Sequence, residues 1–162
     1  MRYRITILSV AILCSFSQQA NADIVLGAAG NFAVLGGSAV TNNGPSVIDG
    51  GDVGVSPGTS IAGFPPGIIT PPFSMHAGDA VAVQAQNDLA TAYNFAAGLA
   101  PTQNLTGQNL GGLTLLPGVY FFSSTAQLTG ILTLNDEGNS NAQFVFQIGS
   151  TLTSAANTDS TF

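Results

Sequence analysis

Most of this sequence is written in short apolar pieces, each closed by glycine, proline, asparagine, aspartate or serine. Before residue 74 the pieces are 32–35, 38–41, 46–48, 52–55 and 60–64. After residue 105 they are 113–116, 119–122, 127–129, 131–134, 143–148 and 151–153. Strands this short leave no room for long hairpins. They suit a β-solenoid, in which each short strand pairs with the equivalent strand of the next coil. No strict repeat length is visible, so irregular coils are expected. Phe144, Phe146 and Ile148 alternate with Val145 and Gln147, which predicts one face in and one face out. The same alternation places Leu152 inward between Thr151 and Thr153.

Two segments break the pattern. Pro65, Pro66, Gly67, Pro71 and Pro72 form a connection expected to continue neither a strand ladder nor a helix. After Ser74, Ala77, Val81, Ala85, Leu89, Ala92, Ala96 and Leu99 recur at intervals of three and four, which predicts one helix over about residues 75–97. Ser74 is expected to cap its start and Asp79 to sit in its first turns, and Gly98 followed by Pro101 stops it. A stripe of mostly alanine fits a helix lying close against a flat surface. The expected class is mainly β, with that helix packed alongside.

Charge narrows the functions. The only basic residues, Arg2 and Arg4, precede an apolar run from Ile5 to Phe16 and a small-x-small site at Ala20-Asn21-Ala22. This is the layout of a secretory signal peptide, residues 1–22, leaving a domain at 23–162. The apolar run is too short to span a bilayer, and a secreted protein without membrane insertion is expected. Losing both arginines takes the formal net charge from -6 to -8. A chain with acids and no Lys or Arg offers no clamp for phosphate and is a poor partner for nucleic acid or anionic lipid. The single cysteine, Cys14, lies in the signal, so the remaining chain has no disulfide, thiolate ligand or cysteine nucleophile.

Reactive groups are few. His76, the sole histidine, lies two residues after Ser74, and a Ser–His pairing there lacks an obvious orienting acid. The carboxylate pairs Asp49/Asp52 and Asp136/Glu137 fall in Gly/Asn-rich turns, where solvated turn formers are the expected reading over glycoside hydrolysis. Residues 136–141, Asp-Glu-Gly-Asn-Ser-Asn, offer oxygen ligands but lack the spacing of an EF-hand loop. No metal or other cofactor is expected, and neither is enzyme activity. Asn104-Leu105-Thr106 is a glycosylation sequon.

Several separated stretches share one source of likeness. Leu26-Gly-Ala-Ala-Gly-Asn-Phe-Ala-Val-Leu35, Asp52-Val-Gly-Val-Ser-Pro-Gly58, Gly63-Phe-Pro-Pro-Gly67, the run from Leu105 to Leu115, Pro117-Gly-Val-Tyr120 and the run from Phe144 to Thr153 resemble, in order, the ice-binding-like family of secreted microbial antifreeze proteins. The resemblance implies a right-handed parallel β-solenoid of triangular section with one long helix alongside. It also implies a monomer whose partner is the surface of an ice crystal. Domains of that family continue past the equivalent of Thr153 with further strands, so a chain ending at Phe162 resembles a shortened domain. Unpaired strand edges and exposed apolar surface are then expected.

Ice recognition calls for a flat, rigid face that is moderately polar. Threonine suits it: the hydroxyl fixes a water, the methyl excludes others and the branched Cβ restricts the rotamer. Thr151 and Thr153 flank Leu152, and in the family's threading Gln127 and Thr129 flank Leu128 on a neighbouring coil. Thr106, Asn109, Thr133 and Thr41 are further candidates. The alternative is an adhesion or carbohydrate-binding solenoid, although the absence of Trp removes the usual platform for sugar rings.

Overall fold

A computed structural model describes residues 23–155 and 160–161; the expected signal peptide lies outside the described residues. The chain forms two stacks of parallel coils. After a 3-10 turn at Gly27–Asn31, the first stack comprises β1 (Phe32–Gly36), β2 (Ala39–Thr41), β3 (Val47–Ile48), β4 (Asp52–Val55), β5 (Ser60–Ala62), β6 (Ile68–Ile69) and β7 (Met75–Ala77). The helix α1 (Ala80–Gly98) follows. The second stack comprises β8 (Gln103–Asn104), β9 (Thr114–Leu115), β10 (Gly118–Phe122), β11 (Ala126–Leu128), β12 (Leu132–Leu134), β13 (Phe144–Ile148), β14 (Leu152–Ser154) and β15 (Ser160–Thr161).

Every strand pairing among the described residues is parallel and joins one coil to the next. The first stack has sheets β1-β4-β7, β2-β5 and β3-β6; the second has β8-β10-β13, β11-β14 and β9-β12-β15. Three sheets per stack give each coil three sides, the β-solenoid that short punctuated strands require. Along β2 and β5 the alternation is plain, with Val40 and Ile61 half-buried between exposed neighbours.

Burial drives the assembly. Leu105, Leu110, Leu115, Tyr120, Phe122, Ala126 and Leu132 form the core of the second stack, with Phe144, Phe146 and Ile148 packed against it. Tyr120 stacks on Phe146 at 5.5 Å between ring centroids, and its hydroxyl donates to Leu116 O. Burial raises the Tyr120 phenol above its ordinary value, against the opposing pull of that hydrogen bond. Full burial of one such side chain, Phe122, contributes about 2–3 kcal/mol.

With so few charges, polar side chains tie one coil to the backbone of the next. Thr102 Oγ1 accepts from Val119 N at 3.0 Å, and Thr106 Oγ1 from Ser123 N at 2.9 Å. Asp52 Oδ1 accepts from Ser74 N at 2.8 Å, and Asn42 Nδ2 donates to Gly63 O at 3.0 Å. Each bond satisfies backbone that a corner takes out of the ladder. Glycine allows the closest approaches: a Cβ on Gly58 would sit 1.9 Å from Ser38 O.

The helix differs from expectation at its start. Ser74 is not its cap, and residues 75–77 are the strand β7, paired with Val53, Gly54 and Val55 of β4. Gly78, at φ 66°, turns the chain, and Asp79 caps the helix by accepting from Ala82 N at 2.9 Å. The apolar spacing ran through Gly78 because Ala77 happened to fall in phase. The buried stripe is Ala82, Ala85 and Ala92, while Val81 is 47% and Leu89 37% exposed. Alanine lets the helix backbone come close, so the larger side chains rotate outward. Polar bonds fix it to both stacks: Asp88 Oδ2 accepts from Ala28 N, Gln86 Nε2 donates to Gly36 O, and Gln147 Nε2 donates to Ala96 O and Leu99 O.

Three further expectations are corrected. The proline-rich connection does carry a strand, since Ile68 and Ile69 pair with Val47 and Ile48 while the prolines occupy the corners on either side. β13 has no solvent face: all five of its residues are half-buried, because Gln147 lies beneath the end of the helix. Leu152 is stacked on Ala126 but 54% exposed, as no described strand lies above it. Val25 and Leu26 are also exposed.

Candidate functional site

The helix packs on β1, β4, β7 and β13, so it covers the side of the molecule made by the first strand of each coil. The side made by β11 and β14 is open. Its register pairs Ala126 with Leu152, Gln127 with Thr153 and Leu128 with Ser154, and a further bridge pairs Asn109 with Gln127. Because side chains alternate, the residues flanking the buried Ala126, and those in register with them on the next coil, point out. One outward column is Asn109, Gln127 and Thr153. A second holds Thr125 and Thr151, whose hydroxyls lie 3.4 Å apart. Thr129 starts a third, with Gly111 of the preceding coil beside its carbonyl.

The columns stand about 6.6–7 Å apart along a strand and about 4.7–4.9 Å apart between coils. No Asp or Glu lies among these residues. The surface is therefore periodic, uncharged and built on a parallel ladder whose backbone cannot shift without breaking its hydrogen bonds.

Five of the eight sequence candidates meet here: Asn109, Gln127, Thr129, Thr151 and Thr153. The other three are elsewhere. Thr106 spends its hydroxyl on Ser123 N at the corner after β8. Thr133 lies on β12, in register with Thr114 and Thr161 on a different side. Thr41 belongs to the first stack, opposite Ala62. The expected equivalence of Leu152 with Leu128 is corrected by two residues, since Leu152 pairs with Ala126. That correction brings in Thr125, which sequence reasoning missed. The 26-residue offset that joins Thr125 to Thr151 was its available signal.

The reactive groups resolve mainly into structural roles. His76 lies on β7, and it has the orienting acid that the sequence did not reveal: its Nδ1 is 2.8 Å from Asp79 Oδ2, while its Nε2 is 3.2 Å from Ser74 Oγ. Phe32 packs edge-on against the ring at 5.6 Å. Asp52 Oδ2 stands 3.7 Å from the same Nε2, and Oδ1 3.5 Å from Ser74 Oγ, so a second carboxylate stands beside both members of the pair. Asp79 is held below its ordinary value, first by the Ala82 N–H and then by His76. Asp49 accepts from Gly50 N, so both members of that carboxylate pair serve backbone. In the 136–141 turn, Asn135, Asp136 and Asn139 each accept a backbone N–H two residues on. Those bonds are Asx turns, and Glu137 takes a φ of 55° between them. Asn104 Oδ1 likewise accepts from Thr106 N. Among the described residues, no group of three His, Cys, Asp or Glu is arranged to hold a metal, and no helix is long and apolar enough to cross a membrane.

The solenoid and its helix coincide with a known family. The ice-binding-like family matches residues 34–162. The chain belongs to the ice-binding-like family. It is 58% identical to an ice-binding protein of Nostoc sp. (strain HG1) over 153 residues, covering 93% of this chain and 56% of that protein. Ice-binding protein K3-B1 of Typhula ishikariensis is 33% identical, over 91% of this chain and 67% of that protein. Among solved structures, an ice-binding protein from an Antarctic biological consortium superposes with a TM-score of 0.78 at 42% identity, covering 97% of this chain and 67% of that one. One from the Antarctic ascomycete Antarctomyces psychrotrophicus gives 0.79 at 39% identity, over 86% of this chain and 67% of that one. The chain spans little more than half the length of the Nostoc relative.

Proposed function

We propose that this chain is part of a secreted, non-catalytic protein that adsorbs to ice through the surface formed by β11, β14 and the threonines that flank them. The observation that carries the reading is the in-register grid of Thr125, Gln127, Thr129, Thr151 and Thr153, free of charge and rigidly spaced. Bound waters on such a grid repeat at distances close to those of the ice lattice, so the surface docks without strong hydration to displace. Ice between adsorbed molecules must then bulge, and the curvature opposes further growth. The names of the matched relatives support the same activity. The Arg2/Arg4 and Ile5–Phe16 pattern supports secretion.

The experiment is growth of a single ice crystal in a solution of the purified protein. Faceted crystals with a gap between melting and growth temperatures support the reading. Round crystals that grow freely, with folded protein present, contradict it. Retention on glycan surfaces by the same inactive sample would instead favour a carbohydrate-binding solenoid.

A further inference from the structure

Asn109 stands in the outward column with Gln127, yet its side chain is fully engaged. Its Oδ1 accepts from Thr129 N at 3.0 Å and from Gly111 N at 3.0 Å. Its Nδ2 donates to Thr129 Oγ1 and lies 3.4 Å from Thr129 O. Thr129 is thus held at its amide and its hydroxyl by a single side chain from the preceding coil. Gly111 closes the grip: a Cβ there would stand 1.9 Å from Thr129 O, so only glycine lets the two coils approach this closely.

We propose that Asn109 is a positioning residue that presents Thr129 to ice, and does not itself contact ice. The inference rests on the ice-adsorbing role proposed for this surface. An amide N–H delivered to Oγ1 fixes the Thr129 χ1 angle and fills one lone pair. The hydroxyl proton and the second lone pair remain for water, in one orientation. A threonine free to rotate would lose rotamer entropy on binding ice; one already held loses little. The neighbouring pair Thr125 and Thr151 holds itself by direct hydroxyl contact. Thr129 has Asn109 in that role.

The test compares Asn109→Ala, Thr129→Ala and the double variant in the full chain, reading the melting-to-growth gap. The Thr129 χ1 population is measured in parallel by NMR three-bond couplings. The expected result is that Asn109→Ala spreads Thr129 over more than one rotamer and lowers the gap by about the same factor as Thr129→Ala, with no further fall in the double variant. A single Thr129 rotamer surviving in Asn109→Ala, or effects that add, overturns the assignment. Asn109→Ser, too short to reach, gives the same readings if the alanine variant folds poorly. A parent chain that leaves ice unshaped sinks the ice role of the surface, and the rotamer measurement then decides the Asn109–Thr129 grip alone.

Discussion

Thr151 and Thr125 stand side by side on adjacent coils, their hydroxyls 3.4 Å apart and joined through the register that seats Leu152 on Ala126. The pair defines a column one step along the strand from Gln127 and Thr153. A tyrosine at any of these positions projects a ring above a surface that must be flat. Thr125→Tyr, Thr151→Tyr and Thr153→Tyr are each expected to reduce the freezing gap to a small fraction of the parent value with an unchanged far-UV CD spectrum. Thr133→Tyr, on another side, is expected to leave it unaltered. Equal loss in Thr133→Tyr would move the site off this surface.

Sequence patterning revealed the class of fold because short apolar pieces closed by turn residues suit coil-to-coil pairing, and alternation survives in three-residue strands such as β2 and β5, where Val40 and Ile61 are half-buried between exposed neighbours. It failed for Ile68–Ile69 and Gln103–Asn104, since two residues carry no alternation. Met75–Ala77 was absorbed into the helix because Ala77 falls in helical phase, and only the Gly78 turn separates the two elements. Threonine content marked β11 and β14 in the sequence, but their register did not follow. Leu128 and Leu152 look equivalent in composition, and only the ladder shows Ala126 beneath Leu152. The Asn109 grip has no sequence signature, because it joins residues 20 apart through side-chain reach.

Close coil packing makes certain glycines irreplaceable. A methyl at Gly58 meets Ser38 O at 1.9 Å, whereas one at Gly37 meets nothing within 4 Å. Gly58→Ala is expected to destabilise by about 1–3 kcal/mol or more through forced displacement of the coil. Gly37→Ala should stay within about 0.5 kcal/mol of the parent. Urea midpoints for the two variants check the contrast, and equal midpoints would contradict so close an approach of the coils at Gly58.

Core truncation should separate buried from exposed aromatics in the same way. Phe122, with no exposed surface, should cost about 3–5 kcal/mol on replacement by alanine. Tyr93, 71% exposed on the helix, should cost about 0.5 kcal/mol or less. Thermal or urea unfolding of Phe122→Ala and Tyr93→Ala reads the difference.

Acid stability should report the helix cap. Asp79 titrates below its ordinary 3.8 in the folded state, so the unfolded chain takes up the proton first as pH falls. The resulting stabilisation is fully present above 3.8 and is lost as pH drops through the lower folded value. Asp79→Asn, which keeps an acceptor for the Ala82 N–H but cannot titrate, should show a flatter acid limb in melting temperature against pH. For Tyr120, whose phenol is raised from 10.0, the unfolded chain ionises first, so stability should fall as pH climbs above about 10. An acid limb in Asp79→Asn as steep as the parent's would contradict the cap's role.

Ice growth around a single crystal, measured with the purified protein and with far-UV CD on the same sample, decides whether this surface adsorbs to ice. Faceted crystals and a gap between melting and growth temperatures are expected, with the gap reduced to a small fraction by Thr151→Tyr. Round crystals growing at the melting point, in a sample whose spectrum shows a folded β protein, would contradict it.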